Sequence, residues 1–319
     1  MAEWKYTAKI KRLRITSEKD WLRWRQKEIT ASVIGAIWGL HPYETIYGLH
    51  AKVSGMKLPA GRDNTVMARG RELQELTGRY VARAHPRWKI RACDYYLRDT
   101  KRRFGGTPDF FVRTDTGRKG LVEAKTVATA QFRQHWAHGV PPWIALQTLT
   151  CAMLARAEFA IVAALEIKSW GPPELHEFVV PRHPAAEQRI LEGVAAFWSD
   201  IDAGRIPNPD YSRDRGLIMA SLPAAIKGKT VDLSSDNRMP ELLRERAKLK
   251  QQIDEAQEAL DAIETEAKDK IGDAEIAIVN GWRVTLKEIS KKEHVVKATT
   301  YRQLRAIRDE IERADDAAA

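Results

Sequence analysis

The 319-residue chain carries 53 lysines and arginines against 43 acids, a formal net charge of +10 that favours a polyanionic partner. Hydrophobic residues make up 44% of it and tryptophans number ten, enough for a packed core, while only two cysteines, Cys93 and Cys151, exclude a disulfide framework or a four-cysteine cluster. The polar start Met1-Ala-Glu-Trp-Lys5 is unlike a signal peptide and no apolar run approaches the ~20 residues of a membrane span, so the expectation is a cytoplasmic protein with no membrane partner.

Residues 1–16 read as a basic arm, either an edge strand or disordered. Ser17 followed by Asp20 predicts a capped helix that ends near Lys27. Short helices are expected over Ala31–Trp38, stopping at Gly39, and over Tyr43–Ser54, closed by Gly55. Lys57–Arg62 reads as a loop, and apolar residues at helical spacing predict a longer helix from Asn64 to about His85. Trp88–Arg98 is expected to be one strand, and Lys101-Arg102-Arg103 a basic turn favoured as a contact to nucleic-acid backbone over a merely solvated turn.

The stretch Gly105–Lys125 carries the chemistry. Phe104–Arg113 and Leu121–Thr126 read as two strands across the turn Thr114-Asp-Thr-Gly117. Side chains two apart on a strand share a face, so a hairpin gathers Asp109, Glu123 and Lys125. Two carboxylates that can hold a hard divalent cation beside one amine suit attack on a phosphodiester. A surface hairpin with solvated acids and Lys125 paired across strands is the plainer alternative.

Downstream, Thr126–Trp136 is a loop or short helix, and Pro141-Pro142 opens a helix over Trp143–Arg156 in which Gln147 is the one large polar side chain of the apolar run. Glu158–Trp170 and Glu174–Arg182 read as antiparallel strands, the first central because Ala160–Leu165 is nearly all apolar. An amphipathic helix follows over Pro184–Ala203. Gly204–Met239 reads as a linker or long loop, then a charged helix runs from Pro240 to about Ile271, open to coiled-coil pairing or docking. Asn280-Gly281 between apolar runs predicts a type I′ hairpin, and a last helix is expected over Thr299–Asp315. The domain plan is therefore residues 1–204, a linker at 205–239 and an appendage at 240–319.

Pro108-Asp109, thirteen residues, then Glu123-Ala124-Lys125 resembles the PD-(D/E)xK nuclease motif. Trp21–Ser32, WLRWRQKEITAS, resembles the N-terminal signature of the lambda-exonuclease and YqaJ-type viral recombinase nucleases. The resemblance implies an α/β fold: a restriction-endonuclease-like core with a mixed central sheet flanked by helices, plus a helix–hairpin–helix appendage. It implies one or two Mg²⁺ ions, with Mn²⁺ as a substitute, held by Asp109, Glu123 and the Ala124 carbonyl. Lys125 and Gln147 would complete the catalytic group, and Arg25, Ser32 and Thr107 would hold the 5′-phosphate of a DNA end. Relatives place a glycine four residues before an acid on the long helix; here Gly70 leads to Gln74, with Glu75 beside it, so a third carboxylate at the metal is an open question.

The activity implied is 5′→3′ exonuclease action on double-stranded DNA ends in the cytoplasm of a bacterial host, for phage-type recombination. A single-strand annealing protein is the implied partner, and a homo-oligomer, a ring trimer, the implied assembly. An endonuclease on the same core is the alternative enzyme, although an internal cutter has no use for a terminal-phosphate pocket. A non-catalytic DNA-binding or assembly protein is the alternative from another class.

Overall fold

The computed structural model describes residues 6–56, 65–290, 298 and 301–306. The elements are β1 (Lys11–Arg14), α1 (Glu18–Arg25), β2 (Ile29–Thr30), a 3₁₀ helix (Ala31–Trp38), α2 (Ile46–Val53), α3 (Thr65–Ala84), β3 (Lys89–Ala92), β4 (Tyr95–Asp99), β5 (Phe104–Gly106), β6 (Phe110–Arg113), β7 (Lys119–Ala128), α4 (Thr129–His135), α5 (Pro142–Ala155), β8 (Phe159–Ile167), β9 (Glu174–Val180), α6 (Pro184–Asp202), α7 (Arg215–Ser221), α8 (Arg238–Ile271), β10 (Ile276–Val279) and β11 (Trp282–Thr285). They form two compact units, Met1–Leu222 and Pro223–Ala319.

The first unit is built on a five-stranded mixed sheet ordered β3-β6-β7-β8-β9, in which only β7 and β8 run parallel. β8 is buried along nearly its whole length because helices cover both faces of the sheet, which is why its sequence is a continuous apolar run. Against one face, α5 contributes Leu149, Met153 and Leu154 to a core shared with Leu121, Val162 and Ala164. On the other face Val81 of α3 packs with Phe110, Val122 and Ile161. Gly78 of α3 allows this approach, since a Cβ there would lie 2.5 Å from the Phe110 ring. The expected mixed sheet flanked by helices is therefore found.

A second sheet, β1-β4-β5-β2, sits beside the first. Two strands expected to be continuous are each split between these sheets. Trp88–Arg98 becomes β3 in the large sheet and β4 in the small one, and Phe104–Arg113 becomes β5 and β6. The reason is steric: a Cβ at Gly105 would lie 2.5 Å from Tyr96 Oη, and one at Gly106 would lie 2.9 Å from Ala31 Cβ, so β5 runs flush against the small sheet's neighbours. Pro108 offers no N–H to a ladder. The two crossings run side by side, joined by the Cys93 N–H donating to the Asp109 carbonyl at 2.9 Å. This bond holds Asp109 between the sheets, immediately before β6.

Buried polar groups pin the small sheet. Glu28, 1% exposed, accepts from Tyr96 Oη at 3.0 Å and pairs with Arg98, while Tyr6 Oη donates to Asp99. Burial and the bond to Asp99 push the Tyr6 hydroxyl well above the ordinary range, so it stays a donor.

Other expectations need correction. The arm contains β1, paired with β4. Part of the expected linker belongs to the first unit: it contains α7, and Thr45 Oγ1 donates to the buried Asp214 at 2.6 Å, so the compact unit ends at Leu222 rather than near residue 204. In the second unit the β10–β11 hairpin forms, but Gly281 alone takes a positive φ, of 81°, so the turn is not type I′. Residues 301–306 are not helical, and the remainder of the expected last helix lies outside the described residues, as does the Lys57–Arg62 loop. Among the described residues no helix is long and apolar enough to cross a membrane.

Candidate active site

Asp109 and Glu123 meet across the β6–β7 pairing. Phe110 opposes Val122 in the antiparallel register, which places Asp109 next to Glu123 at the end of β6. Asp109 Oδ2 accepts the Ala124 N–H at 2.7 Å. Glu123, 1% exposed, accepts Lys125 Nζ at 2.6 Å and Gln147 Nε2 at 2.5 Å, both on Oε1. Gln147 Oε1 lies 3.3 Å from Lys125 Nζ, so the amide bridges acid and amine from α5.

Glu123 Oε2 is buried and has no hydrogen-bond partner. An orphaned carboxylate oxygen inside a fold costs free energy that a proton, an ordered water or a cation can offset. The same conflict raises Asp109 from an ordinary 3.8 to about 8: burial contributes most, then the charge of Glu123, against weaker opposing effects of Lys125 and the Ala124 amide. This donor set fits a hard divalent cation, which would supply the missing charge and occupy the orphaned oxygen.

Lys125 is not poised as a free base. Burial lowers its pKa, but Glu123 and Asp109 outweigh that and hold it above the ordinary amine value. Without a cation it is an ammonium donor to Glu123 and Gln147. Cys151 lies beneath the site with its Sγ facing Gly106, and burial followed by Glu123 and Asp109 keeps the thiol neutral.

Arg25, Ser32 and Thr107 come together next to this cluster. Arg25 Nη2 donates to Ser32 Oγ at 3.0 Å, and Ser32 Oγ lies 2.9 Å from Thr30 Oγ1. The indole of Trp21, one helical turn before Arg25, carries the guanidinium 4.2 Å from its ring centre and donates Nε1–H to Thr107 Oγ1 at 3.1 Å. Burial pulls the Arg25 pKa down, and Glu123 is among the charges that pull it back up, so the two sites share one electrostatic environment. A guanidinium with hydroxyls beside it is an anion site.

Residues 20–157 match the model of the YqaJ-like viral recombinase domain. The match spans every site residue just described, from Trp21 to Cys151. Among solved structures, an alkaline exonuclease from Laribacter hongkongensis (LHK-Exo) aligns at 18% identity over 58% of this chain and 93% of its own, with a TM-score of 0.47. Its complex with dAMP gives 0.48 at the same identity and coverage. A phage-related exonuclease from Haemophilus somnus 129PT gives 0.42 at 13% identity, over 55% of this chain and 94% of its own. No curated protein matches the chain.

Other expected site residues are placed elsewhere. α3 covers the Phe110–Val122 face of the sheet, opposite the face where Glu123 meets Gln147. Glu75 is exposed and bonded to Arg79 at 3.0 Å, and none of the described hydrogen bonds joins Gln74 to Asp109, Glu123 or Lys125. Among the described residues, no hydrogen bond or ion pair joins a carboxylate of α3 to Asp109, Glu123 or Lys125. Of the basic turn, Arg102 pairs with Asp99 at 3.0 Å, while Arg103 pairs with Asp202 at 2.7 Å and stacks over Trp198. These two are structural, which corrects their reading as backbone contacts. A separate set of ligand-type atoms, on Glu166, Glu174 and His176, falls within 4.8 Å on β8 and β9. It is already satisfied by His176–Glu166 and Lys168–Glu174 pairs.

Proposed function

We propose that this protein is a Mg²⁺-dependent 5′→3′ exonuclease that degrades one strand from double-stranded DNA ends and leaves 3′ single strands for an annealing protein. The observation that carries the reading is the adjacency of two sites: the Asp109–Glu123 carboxylate pair, in which the buried Glu123 has an orphaned oxygen, and the Arg25–Ser32–Thr107 anion pocket within its electrostatic reach.

Arg25 and the hydroxyls of Ser32 and Thr107 bind the terminal phosphate and so fix which bond comes to the carboxylates. Asp109 and Glu123, with the Ala124 carbonyl, would hold the cation. When bound, it polarises the scissile phosphate and acidifies a water. Lys125 Nζ, held between Glu123 and Gln147, orients the attacking water by hydrogen bonding. Gln147 keeps the Glu123 carboxylate turned so that Oε1 faces Lys125 and Oε2 remains for the cation.

The test is a linear duplex labelled at its 5′ or 3′ end, with 5′-phosphate or 5′-hydroxyl, beside a closed circle, with Mg²⁺ or EDTA. Release of the 5′ label from phosphorylated linear DNA, with the circle intact, is the expected result. Cutting of the circle would replace this reading with an endonuclease.

A further inference from the structure

The face of the large sheet that carries Asp109 and Glu123 is strongly basic at its other end. Lys89 of β3 opposes Arg113 of β6, and Arg113 opposes Lys119 of β7, so three cations stand in one row across three strands. Lys119 lies four residues before Glu123 on β7, which puts it on the same face and ~13 Å away. Arg91, two residues on from Lys89, shares that face, and Arg12 of β1 joins the four around a groove of about 480 Å³. All five side chains are exposed, and among the described residues none of them enters an ion pair or a hydrogen bond. The neighbouring acids are engaged elsewhere: Asp115 with Arg87, Glu158 with Arg118 and Asp94 with Arg14. Like charges set directly opposite one another destabilise a sheet, so the row is a cost that an anion lying over it removes. Basic residues also guard open sheet edges, which accounts for Lys89 and Arg91 on β3 but not for Arg113 and Lys119 on inner strands.

We propose that this groove binds single-stranded DNA by its internal phosphates, away from any terminus. On the exonuclease reading, on which the naming of the strand rests, the occupant is the strand that degradation leaves intact. The two chemistries of the groove select it. Five cations suit a run of phosphates, whereas the floor is apolar, with Ile90 and Phe111 half-buried and Ala155 and Ala157 at the end of α5. A single strand offers base faces to such a floor, while a duplex keeps its bases stacked inside. Arg25, Ser32 and Thr107 do not line the groove, so it is a site separate from the end-phosphate pocket.

The test is fluorescence anisotropy of a labelled circular single strand with the full chain in EDTA, across a salt titration. A circle has no terminus and EDTA leaves no cation, so this result and that of the end-labelled duplex assay fail independently. Wild type should bind the circle, and more tightly than a closed duplex circle of the same sequence. Lys89→Gln/Arg113→Gln should weaken that binding roughly tenfold or more and lower the slope of log K against log salt by about 1.4, at about 0.7 per phosphate contact. Its melting temperature should match or exceed that of wild type, since two like charges leave one row. Arg12→Gln, on the other sheet, should weaken binding about threefold. Lys227→Gln/Lys229→Gln removes the same charge from exposed lysines of the second unit and should change binding less than about twofold. A circle that stays unbound, equal losses from the two double variants, no loss from Arg12→Gln, or a preference for the closed duplex overturns the proposal.

Discussion

Replacing Asp109 by Asn should stabilise the protein in EDTA and abolish its response to divalent cations. The folded state holds a proton on Asp109 up to about pH 8, whereas the unfolded chain releases it near 3.8. Folding therefore loses stability progressively as pH rises between those values, and below 3.8 the penalty is absent. Taken in full at pH 7.5 the penalty would be about 5 kcal/mol, at about 1.4 kcal/mol per pH unit. Water reaching the half-buried carboxyl screens part of it, leaving roughly 1–3 kcal/mol, or about 2–10 °C in Tm for a unit of this size. Asn keeps the shape and can still accept the Ala124 N–H, so the change removes charge alone. The assay is thermal melting of wild type and Asp109→Asn from pH 5 to 8.5, in EDTA and in Mg²⁺ or Mn²⁺. Wild type should lose stability with pH in EDTA and regain it with the cation, most strongly at high pH; the variant should melt higher in EDTA and ignore the cation. A variant that melts lower in EDTA at pH 8, or that still gains stability from the cation, would refute the reasoning.

Three further outcomes follow from the same geometry. Lys125→Ala should lower turnover ~10²-fold or more while changing duplex affinity in Ca²⁺ only a few-fold; undiminished turnover in single-turnover assays would remove Lys125 from the mechanism. Arg25→Gln should erase the preference for 5′-phosphorylated over 5′-hydroxyl ends, about 10–100-fold by the usual worth of charge-assisted hydrogen bonds, and a retained rate ratio would place the phosphate elsewhere. Gln147→Ala should raise the Mg²⁺ concentration for half-maximal activity about 10–100-fold with a normal melt in EDTA, because it frees Glu123 to turn; an unchanged Mg²⁺ titration would make Gln147 a core amide only.

Local signals were the legible part of this fold. Ser17 caps α1 by accepting from the Asp20 N–H, and the apolar run of β8 announced a strand covered on both faces. The alternation argument also placed Glu123 and Lys125 together, and the PD-(D/E)xK spacing pointed to Asp109. Hidden from the sequence were features decided by groups far apart in the chain. The switch between sheets at residues 93–94 and 107–109 depends on Tyr96, Ala31 and Cys151 filling the space beside two glycines. α7 joins the first unit through one bond between Thr45 and Asp214, which composition cannot reveal. Trp21 was visible only as a motif letter; its work of holding Arg25 and Thr107 together spans 86 residues, although the four-residue step from Trp21 to Arg25 was a signal that both lie on one helix face. The partners of the basic turn were only half legible: Asp99 stands three residues before Arg102, whereas Asp202 lies 99 residues from Arg103.

The measurement that bears most directly on the account is an anomalous difference map from crystals soaked in Mn²⁺. The strongest peak should lie roughly 2.1 Å from a carboxylate oxygen of Asp109 and from Glu123 Oε2. A peak that touches only one of these residues, or that appears at Glu166, Glu174 and His176 instead, would contradict it.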